Sequence, residues 1–191
     1  MNKIIIAIVA IMHLTLSVHG QQKLEREYDL HVDSVPYLAL EFINTAQLKT
    51  KINWYYEENL KGNSIEAKFY YQDHKYSVEF DTVGRLQDIE IESLDRELDA
   101  ALMDRLHINL SKQFKKYVIH KIQKQYSGTI PSLAHFLSSY PSMLGLQLKY
   151  EVIIKGKQVK RMKLYEVLFD HDGNVETIDE IILRNSDYLE Y

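Results

Sequence analysis

The sequence contains no cysteine among its 191 residues, and glycine and proline are scarce, at 7 and 3 residues. Without cysteine the chain has no disulfide framework, no thiol nucleophile and no attachment point for a bacterial lipid anchor, so packing must supply its stability. So little glycine and proline, beside 14 tyrosines, excludes a disordered or low-complexity chain. The net charge of −4 gives no general electrostatic attraction to nucleic acid.

Recognisable catalytic motifs are also missing. The sequence has no Gly-x-Ser-x-Gly elbow, no His-Glu-x-x-His and no glycine-rich phosphate loop. We therefore expect a protein that is not an enzyme, with no catalytic residues and no cofactor. The alternative is a catalytic group assembled in space from separate serine, histidine and acidic residues.

Residues 1–20 have the pattern of a cleavable signal peptide. Lys3 precedes an apolar run over residues 4–12, and Val18 and Gly20 stand at the third-last and last positions of the segment. A retained membrane anchor is the alternative, but the run is shorter than the roughly 20 residues that a spanning helix needs. The pattern predicts a mature chain that begins near Gln21, is periplasmic or secreted, and has no membrane span after cleavage.

Two segments recur in the same order along the chain. Residues 34–39 match residues 129–134, where a hydroxyl residue and a proline open a helical pattern. Residues 76–86 match residues 165–175, where alternating apolar residues lead into a turn that ends in glycine. We expect structural turns at Asp81 and Gly84 in the first copy and at Asp170 and Gly173 in the second.

This order predicts an α+β fold of two tandem α-β-β-β-β units. The first unit would occupy residues 21–92, and the second unit with a C-terminal tail residues 129–191. Apolar residues at helical spacing between them predict a helical linker over residues 93–128.

The Val-Pro-x-Leu-Ala opener and the later Tyr-x-Val-x-Phe-Asp-x-x-Gly-x-Leu segment resemble the tandem PepSY-like domains of exported bacterial proteins. Those domains are related in architecture to β-lactamase-inhibitory proteins. The resemblance covers residues 34–92 and 129–183, most of the predicted mature chain. The resemblance implies one antiparallel sheet, built from both copies, with the helices packed on one face. It also implies a non-catalytic role in binding or inhibiting other proteins, peptidases among them.

Aromatic residues cluster on two of the predicted strands. Neighbouring residues of a strand face opposite sides of a sheet, so these rings cannot all be buried in one core. Exposed tyrosine and tryptophan are typical anchors at protein interfaces. The candidate partner-binding residues are Trp54, Tyr55, Tyr56, Tyr70 and Tyr71, with Tyr55 and Tyr70 expected to be exposed. The alternative is that helices or the linker cover this face as well.

A calcium loop over residues 170–174 is a possible reading of its acids, but Leu168 and Asp179 stand where an EF-hand needs other ligands. We therefore expect a tight turn there and no metal site.

The lysines of residues 112–124 and 155–163 are expected on solvated faces, with a basic patch for an acidic partner as the alternative. The sequence thus favours an exported binding protein for a protein or peptide partner. The second hypothesis is a carrier of a small apolar or lipid ligand in the cell envelope.

Overall fold

The computed structural model describes residues 21–24, 26–59, 62–138 and 143–182. The predicted signal peptide and the tail beyond residue 182 lie outside these ranges. The strands are β1 (Gln21–Leu24), β2 (Arg26–Asp29), β3 (Asn53–Glu58), β4 (Ser64–Tyr71), β5 (His74–Asp81), β6 (Leu86–Ser93), β7 (Lys116–Gly128), β8 (Leu146–Lys157), β9 (Lys163–Phe169) and β10 (Val175–Ile182). The α-helices of the described residues are α1 (Tyr37–Thr45), α2 (Ala100–Gln113) and α3 (Ile130–Ser138).

All ten strands belong to one sheet, in the order β1-β10-β9-β8-β7-β6-β5-β4-β3-β2. Every neighbouring pair is antiparallel except β1 and β10, which run parallel. The fold is therefore dominated by a single sheet with three short helices. The expected class, two tandem α-β-β-β-β units joined by a helical linker, is wrong.

The helical linker fails because its second half, Lys116–Gly128, is the strand β7, which pairs with β6 and β8. Phe114, Val118 and Ile122 recur at a spacing of four residues, which places side chains on one face of a helix. In the structure Phe114 lies before β7, and an irregularity in the pairing between Ile119 and Lys121 puts the exposed Val118 and the buried Ile122 on different faces of the strand. The β-branched residues of this segment favour the strand, and a partner is present on each side.

The helix α3, which was expected to open the second unit, also departs from the tandem plan. The apolar residues of α1 and α3, including Phe42 and Phe136, pack into the same core with Phe80 and Val78 of the sheet. The helix that covers the other half of the sheet is α2, whose Leu106 packs with residues of β7 to β10. The helix opener at residues 129–134 therefore does not begin a separate unit.

The two glycine turns lie against different helices, which also separates them from the expected plan. A Cβ on Gly84 would lie 2.8 Å from Cβ of Pro36, at the start of α1. The neighbours of Gly173 are instead Leu102, Arg105 and Leu106 on α2. The two turns are alike in sequence, and the sequence match predicts that α1 and α3 pack on them. The structure instead packs α1 on the first turn and α2 on the second.

All three helices lie on the same face of the sheet. On β7, Tyr126 belongs to the core under α1 and α3, and Ile122 belongs to the core under α2. These two residues are four positions apart on one strand and therefore point to the same side. We call the opposite side of the sheet, on which no described helix packs, the open face.

Candidate binding face

The open face is made by the polar positions of the strands. On β4 to β8 these positions alternate with the core residues, so the face is rich in acids, amides and lysines. Several of them are buried although no described helix covers them: Ser64, Glu66, Ser77, Glu90, Gln123 and Glu151. Neighbouring side chains on the same face must therefore shield one another from solvent.

One pocket of about 120 Å³ lies on this face. It is lined by Glu27, Glu57, Glu66, Lys68, Lys75, Tyr76, Ser77, Glu79, Glu90, Glu92, Lys121, Gln123 and Glu151. These residues come from every strand between β2 and β8 in the sheet order. In a flat sheet the two outer strands of that set would lie about 30 Å apart. The sheet therefore curves toward the open face, which is concave, and we call this cavity the acid pocket.

Strand register places acids directly opposite one another in the acid pocket. Glu66 on β4 is the cross-strand partner of Glu79 on β5, and Glu79 is the partner of Asp88 on β6. Side chains in such pairs are close neighbours, and like charges at these positions destabilise a sheet. Carboxylate oxygens of Glu79, Asp88 and Glu90 all lie within 4.8 Å of one another. We call these three residues the acid triad.

This crowding changes the protonation of the buried acids. Burial raises the pKa of Glu79 well above its ordinary value, and the charge of Asp88 raises it further. Burial also raises the pKa of Glu90, to which Glu151 adds while Lys121 opposes. Both glutamates therefore favour the protonated form more than they would in an unfolded chain.

Amide side chains approach the triad from β7. Gln123 donates a hydrogen bond from Nε2 to Oε2 of Glu90 at 2.6 Å. Gln125 donates longer bonds from Nε2 to Asp88, at 3.3 Å, and to Glu90, at 3.4 Å. Donors of this kind stabilise a carboxylate and fix its direction.

Lys68 on β4 forms salt bridges with two acids beside the triad. Lys68 lies 2.8 Å from Oε2 of Glu66 and 2.6 Å from Oε2 of Glu27. Burial alone would lower the pKa of Lys68, but these two acids raise it, so the ammonium stays charged. Glu66 also accepts a short hydrogen bond from Oγ of Ser77. The charge of Lys68 is therefore shared by Glu66 and Glu27 at one side of the pocket.

The structure does not bring the five candidate aromatic residues together on one surface. Trp54 is 7% exposed and lies in the core beside Phe80, with ring centroids 6.0 Å apart. Tyr56 and Tyr71 also pack against this core. These three residues therefore belong to the helix-covered side, and the assignment of Trp54 as a partner anchor is corrected to a core position.

Tyr55 and Tyr70 are on the open face. Tyr70 is 69% exposed and is the cross-strand partner of Lys75, which lines the acid pocket. Tyr55, which was expected to be exposed, is only partly exposed. It is the cross-strand partner of Glu66, and the ammonium of Lys68 lies 5.1 Å from its ring centroid. These two rings flank the acid pocket on neighbouring strands.

The two expected turn segments lie away from this pocket, at the ends of hairpins. At the first turn, Oδ1 of Asp81 accepts hydrogen bonds from the amides of Val83 and Arg85, and Gly84 has φ of 86°. At the second turn, Asp170 accepts bonds from the backbone amides of Asp172 and Asn174, and Gly173 has φ of 82°.

The carboxylate of Asp170 is occupied by its own turn. Partial desolvation would raise its pKa, but the bonds from Asn174 and Asp172 hold that pKa below its usual value. Its oxygens are therefore held by local donors.

Sequence reasoning missed the acid triad. The available signal was the hairpin itself, because a turn over residues 81–84 makes Glu79 and Asp88 cross-strand neighbours. The contributions of Glu66, Gln123 and Glu151 depend on the order of strands in the sheet, which the hairpin alone does not show.

None of the helices in the described ranges has the length and apolarity needed to cross a bilayer. No family model matches the sequence, and no curated protein matches it. A crystal structure of a DUF2874 family protein from Bacteroides ovatus ATCC 8483 is similar, with 14% sequence identity and a TM-score of 0.48. The match covers 76% of this chain and 86% of that chain.

Proposed function

We propose that this chain is an exported, non-catalytic binding protein whose open face takes a protein or peptide partner. The observation that carries the proposal is the exposed ring of Tyr70 on a sheet face that no described helix covers. An exposed, rigid aromatic ring beside a concave pocket is a typical interface anchor. Tyr55 supplies a second, partly buried ring on the same face.

The charge of the face indicates the kind of partner. The acid pocket is lined by seven glutamates and three lysines, so it carries a clear excess of negative charge. A complementary partner surface is basic, because opposite potentials steer association and disfavour other partners. The role in peptidase inhibition implied by the PepSY-like resemblance stays a prediction.

The carrier hypothesis has less support. Apolar side chains of both cores fill the contact between the described helices and the sheet. An apolar groove of about 280 Å³ lies between α1, α3 and the Gly84 turn, but it is at the surface and includes Glu41 and Arg85. We keep the carrier as a prediction and propose the partner-binding role.

Site-specific photo-crosslinking tests the proposal. A photoreactive phenylalanine analogue replaces Tyr70 in the full chain, and a matched chain carries the analogue in place of Tyr37. Tyr37 is 72% exposed and lies on α1, on the other side of the sheet. Irradiation of cells of the native host should give a discrete adduct from position 70 that excess unlabelled protein abolishes, and none from position 37. No adduct from position 70, or equal adducts from both positions, would overturn the proposal.

A further inference from the structure

The acid triad has the spacing of ligands around one cation. Its carboxylate oxygens come from two neighbouring strands, Glu79 on β5 and Asp88 and Glu90 on β6, and lie within 4.8 Å of one another. Calcium binds oxygen ligands at about 2.3 to 2.6 Å, so ligands on opposite sides of the ion are about 5 Å apart. A cation among these oxygens could therefore contact all three acids without a large movement of the strands.

A second observation, independent of the acids, points to a ligand at the same place. Gln123 is only 6% exposed and lines the acid pocket, and its Oε1 is buried without a hydrogen-bond partner among the described residues. Buried polar atoms are nearly always satisfied, so an orphan acceptor needs an explanation. A bound cation would provide one, because amide carbonyl oxygens are good ligands for hard cations.

The orientation of this amide is fixed by its other end. Nε2 of Gln123 lies 2.6 Å from Oε2 of Glu90. That hydrogen bond is donated by Nε2, so Oε1 is the atom left over, and it belongs to the same side chain that contacts the triad.

The acids around the triad carry more negative charge than the neighbouring lysine compensates. Like charges face each other across the strands at Glu66, Glu79 and Asp88. The ammonium of Lys68 is held by Glu66 and Glu27 at one side of the pocket. Sequence features that break a local rule, as these opposed acids do, are expected at functional sites.

We propose that Glu79, Asp88, Glu90 and Gln123 form a binding site for a calcium ion. The ligands are all oxygens, which suits a hard cation, and calcium tolerates irregular ligand positions better than magnesium, which requires a near-ideal octahedron. The site goes beyond the proposed partner binding and does not depend on it, because the cation is bound by this chain alone. With calcium in place the pocket keeps an excess of negative charge for a basic partner.

Calorimetric titration of the full chain, freed of metal by a chelator and dialysed, tests the site with calcium chloride alone. We expect saturable binding with one site per chain, and weaker binding of magnesium chloride. Asp88→Asn should weaken calcium binding at least tenfold, since the substitution removes one charged ligand. Glu79→Gln should have the same effect for the same reason.

Gln123→Leu removes the orphan carbonyl oxygen without changing the charge, and should also weaken binding several-fold. Glu41→Gln is the matched control, because Glu41 is an exposed acid on α1, and it should bind calcium as the unchanged chain does. Circular dichroism of each metal-free variant checks that it is folded.

Absence of saturable binding up to about 10 mM calcium would overturn the site, since even weak extracellular calcium modules bind at 0.1 to 1 mM. Unchanged affinity in folded Asp88→Asn and Glu79→Gln, or tighter binding of magnesium than of calcium, would overturn it as well. No partner is present in the titration, so failure of the calcium site is distinct from failure of the crosslinking experiment.

Discussion

At the residue scale, Glu79 shows the conflict within the open face most clearly. Burial and the charge of Asp88 both raise its pKa, so its ionised form is unfavourable in the folded protein without a cation. We predict that Glu79→Gln raises the free energy of unfolding of the metal-free protein at pH 7 by about 0.5 to 2 kcal/mol. Urea unfolding measures the change, and Glu41→Gln should alter the free energy by less than about 0.5 kcal/mol. A loss of stability in Glu79→Gln would contradict the charge argument.

The same raised pKa values predict how stability depends on pH. Between the ordinary value of 4.5 and the higher folded value, the folded protein holds protons on Glu79 and Glu90 that the unfolded chain has released. Stability of the metal-free protein should therefore fall as pH rises from about 4.5 through the folded pKa. Urea midpoints across this range measure the slope, which should be smaller in Glu79→Gln. An identical slope in the two proteins would show that Glu79 does not carry the effect.

The aromatic residues give a prediction about burial. Trp54→Ala should destabilise the protein by about 3 to 5 kcal/mol, because it empties a core position beside Phe80. Tyr70→Ala should change the free energy of unfolding by less than about 0.5 kcal/mol, since the ring is exposed. Thermal unfolding of the two variants distinguishes these cases, and a large loss in Tyr70→Ala would remove it as a partner anchor.

The sequence could place rings on opposite faces of a strand but not decide which face was the core. Trp54 pairs with Ala67, whose strand carries the apolar series Ile65, Ala67 and Phe69. That pairing puts Trp54 inside, and it depends on the register between β3 and β4. The register was not readable from local spacing, because both neighbours of Tyr55 are aromatic as well.

At the element scale, the hairpin of β5 and β6 contributes to both faces of the sheet. Its turn packs against the start of α1 on the core side, and its strands carry the acid triad on the open face. Sequence spacing is informative for such a turn, because an aspartate that accepts local amides and a glycine at positive φ act within a few residues. The packing partner of each turn lies far away in the sequence and could not be predicted in this way.

The two glycines at these turns provide a matched comparison. Both have positive φ, so alanine is strained at either position. At Gly84 the new Cβ would also lie 3.0 Å from the backbone nitrogen of Ala39, whereas at Gly173 the nearest atoms, at 3.3 Å, belong to side chains. We predict that Gly84→Ala costs about 2 kcal/mol or more and that Gly173→Ala costs less. Urea unfolding decides, and an equal or larger cost at Gly173 would contradict the packing argument.

Helical periodicity misled the interpretation of residues 93–128 for a definable reason. In α2 the residues Leu102, Leu106 and Leu110 are buried at helical spacing, as the pattern predicts. In β7 a spacing of four residues, as between Ile122 and Tyr126, fits one face of a strand, which pairs with β8 from Lys116 to Gly128 and with β6 over residues 122–126. Only tertiary pairing distinguishes the two cases, so a local pattern could not.

At the scale of the whole molecule, the sheet separates two environments. One face packs against the helices with apolar side chains, and the other concentrates opposed acids in a curved surface. The alternation of apolar and polar residues along the strands predicts that one face of the sheet is apolar. The second required the order of the strands, because Glu66, Glu90 and Glu151 are distant in sequence and meet only when β4 to β8 are neighbours.

The central claim is that the open face holds charge that a bound calcium ion stabilises. Urea unfolding of the unchanged chain and of Glu79→Gln, each with chelator and with saturating calcium, tests this claim most directly. With chelator, Glu79→Gln should be the more stable protein, because a crowded charge is gone. With saturating calcium this advantage should shrink by about 1.4 kcal/mol or more, because a ligand that binds only the folded state stabilises it by an amount that grows with the logarithm of its affinity, and the variant binds at least tenfold more weakly. An equal difference between the two proteins in both buffers would contradict the account.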